Sequence, residues 1–442
     1  MPLNTSGPIS LAGSTAGESI ALELGESATG TISLNDTAVR DLAGVASGAI
    51  VMPTNFYGAS SGPTLTLGSA QGLGEDNIGY PVVGYNEFRD KVLVVYGLYF
   101  ARTSPNDRYL YAKVGTVSSG QFITYGSETQ LWGFNSSPAQ DIALTYRPND
   151  ESHTVFWKET SNSGRGLIAV VQINSSGVPQ RQATAAFQAY NDEITIFGPN
   201  AAFFDPDTNY SSVVYRNLDN SSYGEIQVAN AASSNVSAYN EVVFNSGSTE
   251  DASAAYDTNV NKFLVCYTNS SSSSRGTARV GTMSGTVATF GTAVVYSNVS
   301  TFNNTVVFDG TNNKMVVIYE AGNDIRARVG TISGTSVSFG TEVTVDTNTP
   351  TRFSMSASWN PDEGVIIVSW EDSQSSPDNG MVVIGTVSGT DISFSGLRVL
   401  EAGNINYTSQ VYDPDTDKTI ISYKDIDATN TQRAKLATVV PA

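Results

Sequence analysis

Seven times along the chain an apolar, β-branched run closes on a large aromatic residue: Tyr96, Trp157, Tyr215, Tyr267, Tyr319, Trp370 and Tyr423. The intervals between them are 61, 58, 52, 52, 51 and 53 residues. Self-similarity at a period of about 50 residues marks a chain of supersecondary units, none of which buries its apolar face alone. Two copies show what one unit contains. The run 262–267 is followed by Ala278-Arg279-Val280-Gly281-Thr282, a Ser284-Gly285-Thr286 turn and Phe290-Gly291-Thr292. The run 314–319 is followed in the same order by Ala327-Arg328-Val329-Gly330-Thr331, Ser333-Gly334-Thr335 and Phe339-Gly340-Thr341.

Each copy reads as four strands. An alternating segment ends in a tight acidic turn, as at Tyr256-Asp257-Thr258-Asn259, Phe308-Asp309-Gly310-Thr311 and Phe204-Asp205-Pro206-Asp207. The apolar run follows as a buried second strand, a variable loop leads to the third, and the Ser-Gly-Thr turn opens the fourth. Four-stranded antiparallel sheets packed radially cover each other's faces and leave only short outer edges. The period therefore predicts an all-β protein, a seven-bladed β-propeller of four-stranded antiparallel blades over residues 64–442. The last copy supplies strands near 410–412, 419–423 and 434–438 and then the chain ends. Thr64-Leu65-Thr66-Leu67, ahead of the first full copy, is the expected fourth strand, which closes the ring and hides two edges.

Composition narrows the function classes. With 23 basic and 42 acidic residues the net charge is −19, which repels phosphate backbones and anionic lipid and argues against a nucleic-acid partner. No apolar stretch approaches the roughly 18 residues that a membrane span needs, so membrane insertion is not expected. Cys266 lies in an apolar β run and reads as a small buried hydrophobe. His153, the single histidine, sits beside Asp150 and Glu151 and reads as a solvated turn residue rather than a catalytic base. No His/Cys cluster, phosphate-cradling loop or dinucleotide fingerprint is present, so a non-enzymatic role is expected. Met1-Pro2-Leu3-Asn4 lacks the basic start and apolar core of a signal peptide, which points to folding in a cytoplasm.

Residues 1–58 do not share the period. A phrase recurs there as Ser6-Gly7-Pro8-Ile9-Ser10-Leu11, Thr29-Gly30-Thr31-Ile32-Ser33-Leu34 and Ser47-Gly48-Ala49-Ile50. Between the last two a short helix is predicted over 36–43, capped by Asn35, with Ala38, Val39 and Leu42 on one apolar face and Gly44 as the stop. Residues 59–63 read as a linker. A segment this small makes a marginal core and is expected to dock onto something else.

Four ordered phrases in this segment carry a resemblance. They are Leu3-Asn4-Thr5-Ser6-Gly7-Pro8-Ile9-Ser10-Leu11, Ile32-Ser33-Leu34-Asn35-Asp36, Val39-Arg40-Asp41-Leu42-Ala43-Gly44, and Ser47-Gly48-Ala49-Ile50 running on to Asn55-Phe56-Tyr57-Gly58. Together they resemble the N-terminal module of tailed-bacteriophage virion structural proteins, over 58 of the 442 residues. The last phrase departs from the usual Ile-Ser-Leu-Ser, reading Ile50-Val51-Met52-Pro53. The resemblance implies a virion component on the phage tail or particle surface, made in the host bacterial cytoplasm. It implies docking to other virion proteins through residues 1–58, as a homo-oligomer or in several copies per particle. A tail fibre or tail-associated adhesin binding a host cell-surface glycan is the expected function. The alternatives are a decoration or tail-assembly protein and a glycan-cleaving depolymerase.

Two sets of residues are candidates for a site. The first is Tyr99, Phe100, Arg102 and Arg108 on the long loop of the first copy, with Trp132 on the loop leaving it; aromatics beside arginines stack on sugars or anchor interfaces, and also simply pack. The face carrying these variable loops is the expected recognition face, since function concentrates on loops held by a rigid scaffold. The second set is Asp413, Asp415 and Asp417, whose alternate spacing suits calcium but equally makes an ordinary hairpin turn. No other cofactor is indicated.

Overall fold

The apolar runs are strands, and their burial explains the period. The computed structural model describes residues 3, 9–12, 18–24, 27, 32–43, 50–52, 63–74, 78–98, 108–118, 123–134, 139–160, 164–187, 193–232, 235–239, 241–347, 355–373, 378–428 and 430–441. Lys91–Leu98, Ser152–Glu159, Tyr210–Asn217, Lys262–Asn269, Lys314–Ala321, Val365–Asp372 and Lys418–Asp425 each pair antiparallel with the strand before and the strand after. The seven periodic aromatics sit on these strands, none more than 1% exposed. Several tyrosine hydroxyls are tied to glutamates: Tyr319 donates to Glu342 at 2.6 Å, Tyr215 to Glu225 at 3.0 Å, and Tyr96 to Glu128. A buried phenol without such a partner would forfeit its hydration.

Among the described residues the strands form six hydrogen-bonded sheets. The nine-stranded one spans two copies, because Val294–Asp309 pairs first with Arg275–Ser284 and then, after a bend, with Lys314–Ala321. Dividing it there leaves consecutive antiparallel sets in chain order, one for each periodic aromatic. The fold is a β-propeller. Its last set runs Thr64–Leu67, Thr431–Val440, Lys418–Asp425, Ile405–Asp413, so the strand before the first copy completes the final one. Gln71–Gly72 adds to the same edge, and the Gly68 amide donates to the Leu436 carbonyl at 2.8 Å. Across this seam Val83, Val92 and Tyr96 share one apolar cluster with Ile420, Ala434 and Leu436.

The chain divides into two compact units, one of Met1–Thr64 with Val440–Ala442 and one of Leu65–Val439. The smaller has its own apolar cluster around Leu3, Ile20, Val39, Leu42 and Ala43. Its second helix is Thr37–Leu42. The Arg40 amide donates to the Asp36 carbonyl, which makes Asp36 the cap rather than Asn35. The Asp36 carboxylate turns back to accept from the Ser33 amide at 2.6 Å, and Asn35 instead accepts from Arg40. Ala38 is exposed; the apolar face is Val39, Leu42 and Ala43. Gly44 and the linker, apart from Pro63, lie outside the described residues.

Candidate functional site

Ile78–Asn86, Ala139–Arg147, Thr249–Asp257, the later half of Val294–Asp309 and Ile405–Asp413 are the first strands of their copies, and all are interrupted at the same place. The pairing register jumps between Gly79 and Val82, Gln140 and Ala143, Glu250 and Ser253, Phe302 and Thr305, and Asn406 and Ser409. At each jump one residue turns left-handed: Tyr80 (φ 51°), Asp141 (52°), Asp251 (47°), Asn303 (49°) and Tyr407 (54°). Bulges of this kind re-aim a side chain out of the ladder. Here they aim inward, and all five residues line one cavity of about 160 Å³. Each lies sixteen residues before its copy's aromatic: Tyr80 before Tyr96, Asp141 before Trp157, Asp251 before Tyr267, Asn303 before Tyr319, Tyr407 before Tyr423. In the third copy that position is Pro199, which lines the cavity together with Thr195, Phe197 and Gly198.

Neighbouring copies meet in this chamber. The rings of Tyr80 and Tyr407 lie 4.5 Å apart at 41°. The Ile196 amide hydrogen-bonds to Asp141, and the Asn303 amide to Asp251. Burial pushes both carboxyls up to about 6, against the pull of Lys158 and Arg216 on Asp141 and of Arg216 on Asp251. Both acids keep surface open to the chamber while protein surrounds them on their other sides, so the desolvation is that of an enclosed pocket. Lys158 is already paired with Glu193 at 2.8 Å and Arg216 with Glu250.

Toward the other end of the same strands a second cavity of about 470 Å³ opens. Tyr85, Tyr146, Trp359 and Tyr412 line it together with Pro361 and Pro414. Each of these aromatics stands immediately before the residue that begins its copy's tight turn, as do Phe204, Tyr256 and Phe308. A turn acid of the preceding copy holds one phenol, Tyr412 donating to Asp362 at 2.6 Å, and Tyr85 lies near Asp413. Trp359 seats on the Gly310 turn, where a Cβ would come within 2.6 Å of its ring. Between bowl and chamber runs the short 3-10 turn Pro199–Ala201. Asn200 donates to the Ala357 carbonyl at 3.0 Å, accepts from Ser356 at 3.2 Å, and offers its own carbonyl to Ser253 at 2.9 Å. These bonds tie the third copy to the sixth and fourth and separate the two cavities, which share only Val82 and Pro199.

The residues singled out from sequence fall elsewhere. Tyr99, Phe100 and Arg102 lie outside the described residues. Arg108 begins the strand Arg108–Val117, with its backbone opposite Phe134. Trp132, opposite Leu110, is half-buried, with Trp157 6.2 Å away and the Arg181 guanidinium 4.9 Å over its ring. His153 is fully buried rather than solvated, packed 5.2 Å from Tyr146 and under Gly84, where a Cβ would crowd it. Its position on Ser152–Glu159 faces an inter-copy seam, and burial lowers its pKa to about 4 against the favourable Tyr85 backbone. Cys266 is buried, and burial raises its thiol pKa.

The acidic turns have a structural account. Asp413 accepts from the Asp415 amide at 3.0 Å and the Thr416 hydroxyl at 2.7 Å. Asp205, Asp257 and Asp309 accept the equivalent amide at 2.9 Å. Asp417 is left-handed at φ 50°, as are Asn209, Asn261 and Asn313 at its counterpart positions, which favours Asx residues there. Asp415 is exposed, and the charge of Asp90 raises its pKa. Among the described residues no group of three or more His, Cys, Asp or Glu is placed to hold a metal ion.

No family model and no curated protein matches the chain. Solved structures do. The BP39L lectin from Burkholderia pseudomallei superposes with a TM-score of 0.59 at 11% identity, over 81% of this chain and 96% of that one. The Cps50 (Swd1) β-propeller domain of Myceliophteria thermophila gives 0.47 at 8% identity over 83% and 99%, and the Dos1 propeller 0.49 at 10% identity over 84% and 95%. At these identities the likeness is one of fold.

Proposed function

We propose that this is a binding protein, a phage virion component of the tail-fibre or tail-adhesin kind, whose propeller takes a host-surface glycan in the aromatic bowl. One observation carries the binding reading: four aromatic rings from four copies, framed by prolines, converge on a cavity of about 470 Å³. Rings with apolar faces and hydrogen-bonded edges suit sugars, which present C–H faces and hydroxyl rims. Glu87 also lines the bowl and provides carboxylate acceptors for those hydroxyls. The structure with the TM-score of 0.59 is named as a lectin, which accords with this ligand class. Placement on a virion rests on the ordered phrases of residues 1–58, and several copies on one particle would turn weak single sites into avidity. Tyr99, Phe100, Arg102 and Arg108 remain a proposed second contact from the loop side.

The test is an array of bacterial surface glycans probed with the wild type, Trp359→Ala and Tyr412→Ala. An aromatic anchor typically contributes on the order of 2 kcal/mol, so each variant should lose at least about tenfold in affinity while still melting cooperatively. Unchanged binding in both variants, or no glycan bound by the wild type, overturns the reading.

A further inference from the structure

We propose that the chamber at the strand bulges binds a small organic ammonium ion, seated between the carboxylates of Asp141 and Asp251 and against the rings of Tyr80 and Tyr407. This is separate from the glycan reading, since the Pro199–Ala201 turn divides the chamber from the bowl.

Size, wall chemistry and charge converge on this class. At about 160 Å³ the chamber matches a cavity that admits a benzene-sized guest. Tyr80 and Tyr407 form one aromatic wall, rings 4.5 Å apart, and aromatic walls are the standard receptor for alkylammonium groups. The carboxylates stand on the second and fourth copies, to either side of the third. Asp141 faces Lys158, Arg216 and Glu193, and Asp251 faces Arg216, Glu250, Glu320 and the neutral phenol of Tyr296. Lys158 and Arg216 are both engaged by glutamates, so five carboxyls surround two committed cations and the chamber is left electronegative. An anion is repelled there, and a neutral guest leaves both aspartates uncompensated. The wall of two phenols, with Asp141 and Asp251 the only acids and no imidazole among its lining residues, suits an alkylammonium better than a metal ion.

Each aspartate keeps lone pairs after accepting one backbone amide, so it can still take an N–H or stand as a counter-ion. Because burial holds both carboxyls near 6, ionisation and hence affinity for a cation should rise as the pH passes upward through that region.

Isothermal titration of the full chain with choline and with ethanolammonium, at pH 7.5 and pH 5.0, tests this. The neutral isostere 3,3-dimethylbutan-1-ol serves as the control. The expected result is binding of at least one ammonium probe at pH 7.5, weakened about tenfold or more at pH 5.0, with the alcohol weaker by a similar factor. Asp141→Asn and Asp251→Asn should each reduce affinity several-fold without loss of the cooperative melt. Tyr407→Asn, which keeps a residue tolerant of left-handed backbone, should weaken choline binding and serves if an aspartate variant fails to fold. Equal affinity for the neutral alcohol, affinity independent of pH, affinity unchanged in the folded variants, or no binding of either ammonium probe at millimolar concentration overturns the proposal.

Discussion

Asp141 and Asp251 are costly residues at neutral pH, and the sign of that cost can be measured. Their folded-state values near 6 lie above the ordinary 3.8, so the folded protein holds protons more tightly than the unfolded chain. Their contribution to stability is fully present below pH 4 and is lost as the pH rises through 6. Asn mimics the protonated acid. Asp141→Asn should therefore stabilise the ligand-free protein at pH 7.5, by on the order of 1 kcal/mol, and make no difference near pH 3.5. Equilibrium unfolding of the two proteins at the two pH values checks this. His153 runs the opposite way: its lowered value means stability is full above 6.5 and falls as the pH drops toward 4. The wild-type profile between pH 4 and 6.5 is thus a difference of two slopes, and only the variant isolates the aspartate. Trp132 makes a contrasting case. Packed on Trp157 and Arg181, it should cost about 3 kcal/mol of stability when changed to alanine, read as a lowered melting temperature.

At the scale of the strand, the bulges decide what the chamber presents. The fit of a residue there is set first by its tolerance of positive φ. Asn303 tolerates it, while a β-branched residue does not, so Asn303→Val should destabilise by roughly 1–2 kcal/mol and Asn303→Gly by much less. Chemical denaturation of both variants measures the difference. The sequence made the strands legible because buried second strands are continuous apolar runs and the turn acids recur in step. It did not reveal the chamber, for a physical reason. A bulge shifts the inward and outward alternation by one residue, so Asp141 and Asp251 read as outward-facing polar positions on an ordinary strand. Their fixed distance of sixteen residues from the aromatic was the available signal. The bowl was hidden differently: Tyr85, Tyr146, Trp359 and Tyr412 look like strand packing until the ring sets their copies around one axis. His153 reads as solvated beside Asp150 and Glu151, yet only Glu151 keeps substantial exposure, while the imidazole itself turns into the buried seam under Gly84.

For the whole molecule, closure is the feature that makes seams between copies alike. The first and last copies meet through the strand Thr64–Leu67 and the cluster containing Val83 and Ile420. A chain beginning at Gly68 loses no periodic aromatic, yet it exposes the edge of Thr431–Val440 and the apolar faces beside it. It should unfold at a markedly lower temperature than a chain beginning at Pro63, and equal melting would mean that the ring does not depend on this strand. The two cavities are thus proposed for two ligand classes, with the glycan in the aromatic bowl. The most direct measurement of that claim is a crystal structure of the protein with a glycan selected on the array. The expected result is a sugar ring resting on Trp359 within the bowl, beside Tyr412. A bowl left empty of sugar, whatever else the glycan touches, would contradict it.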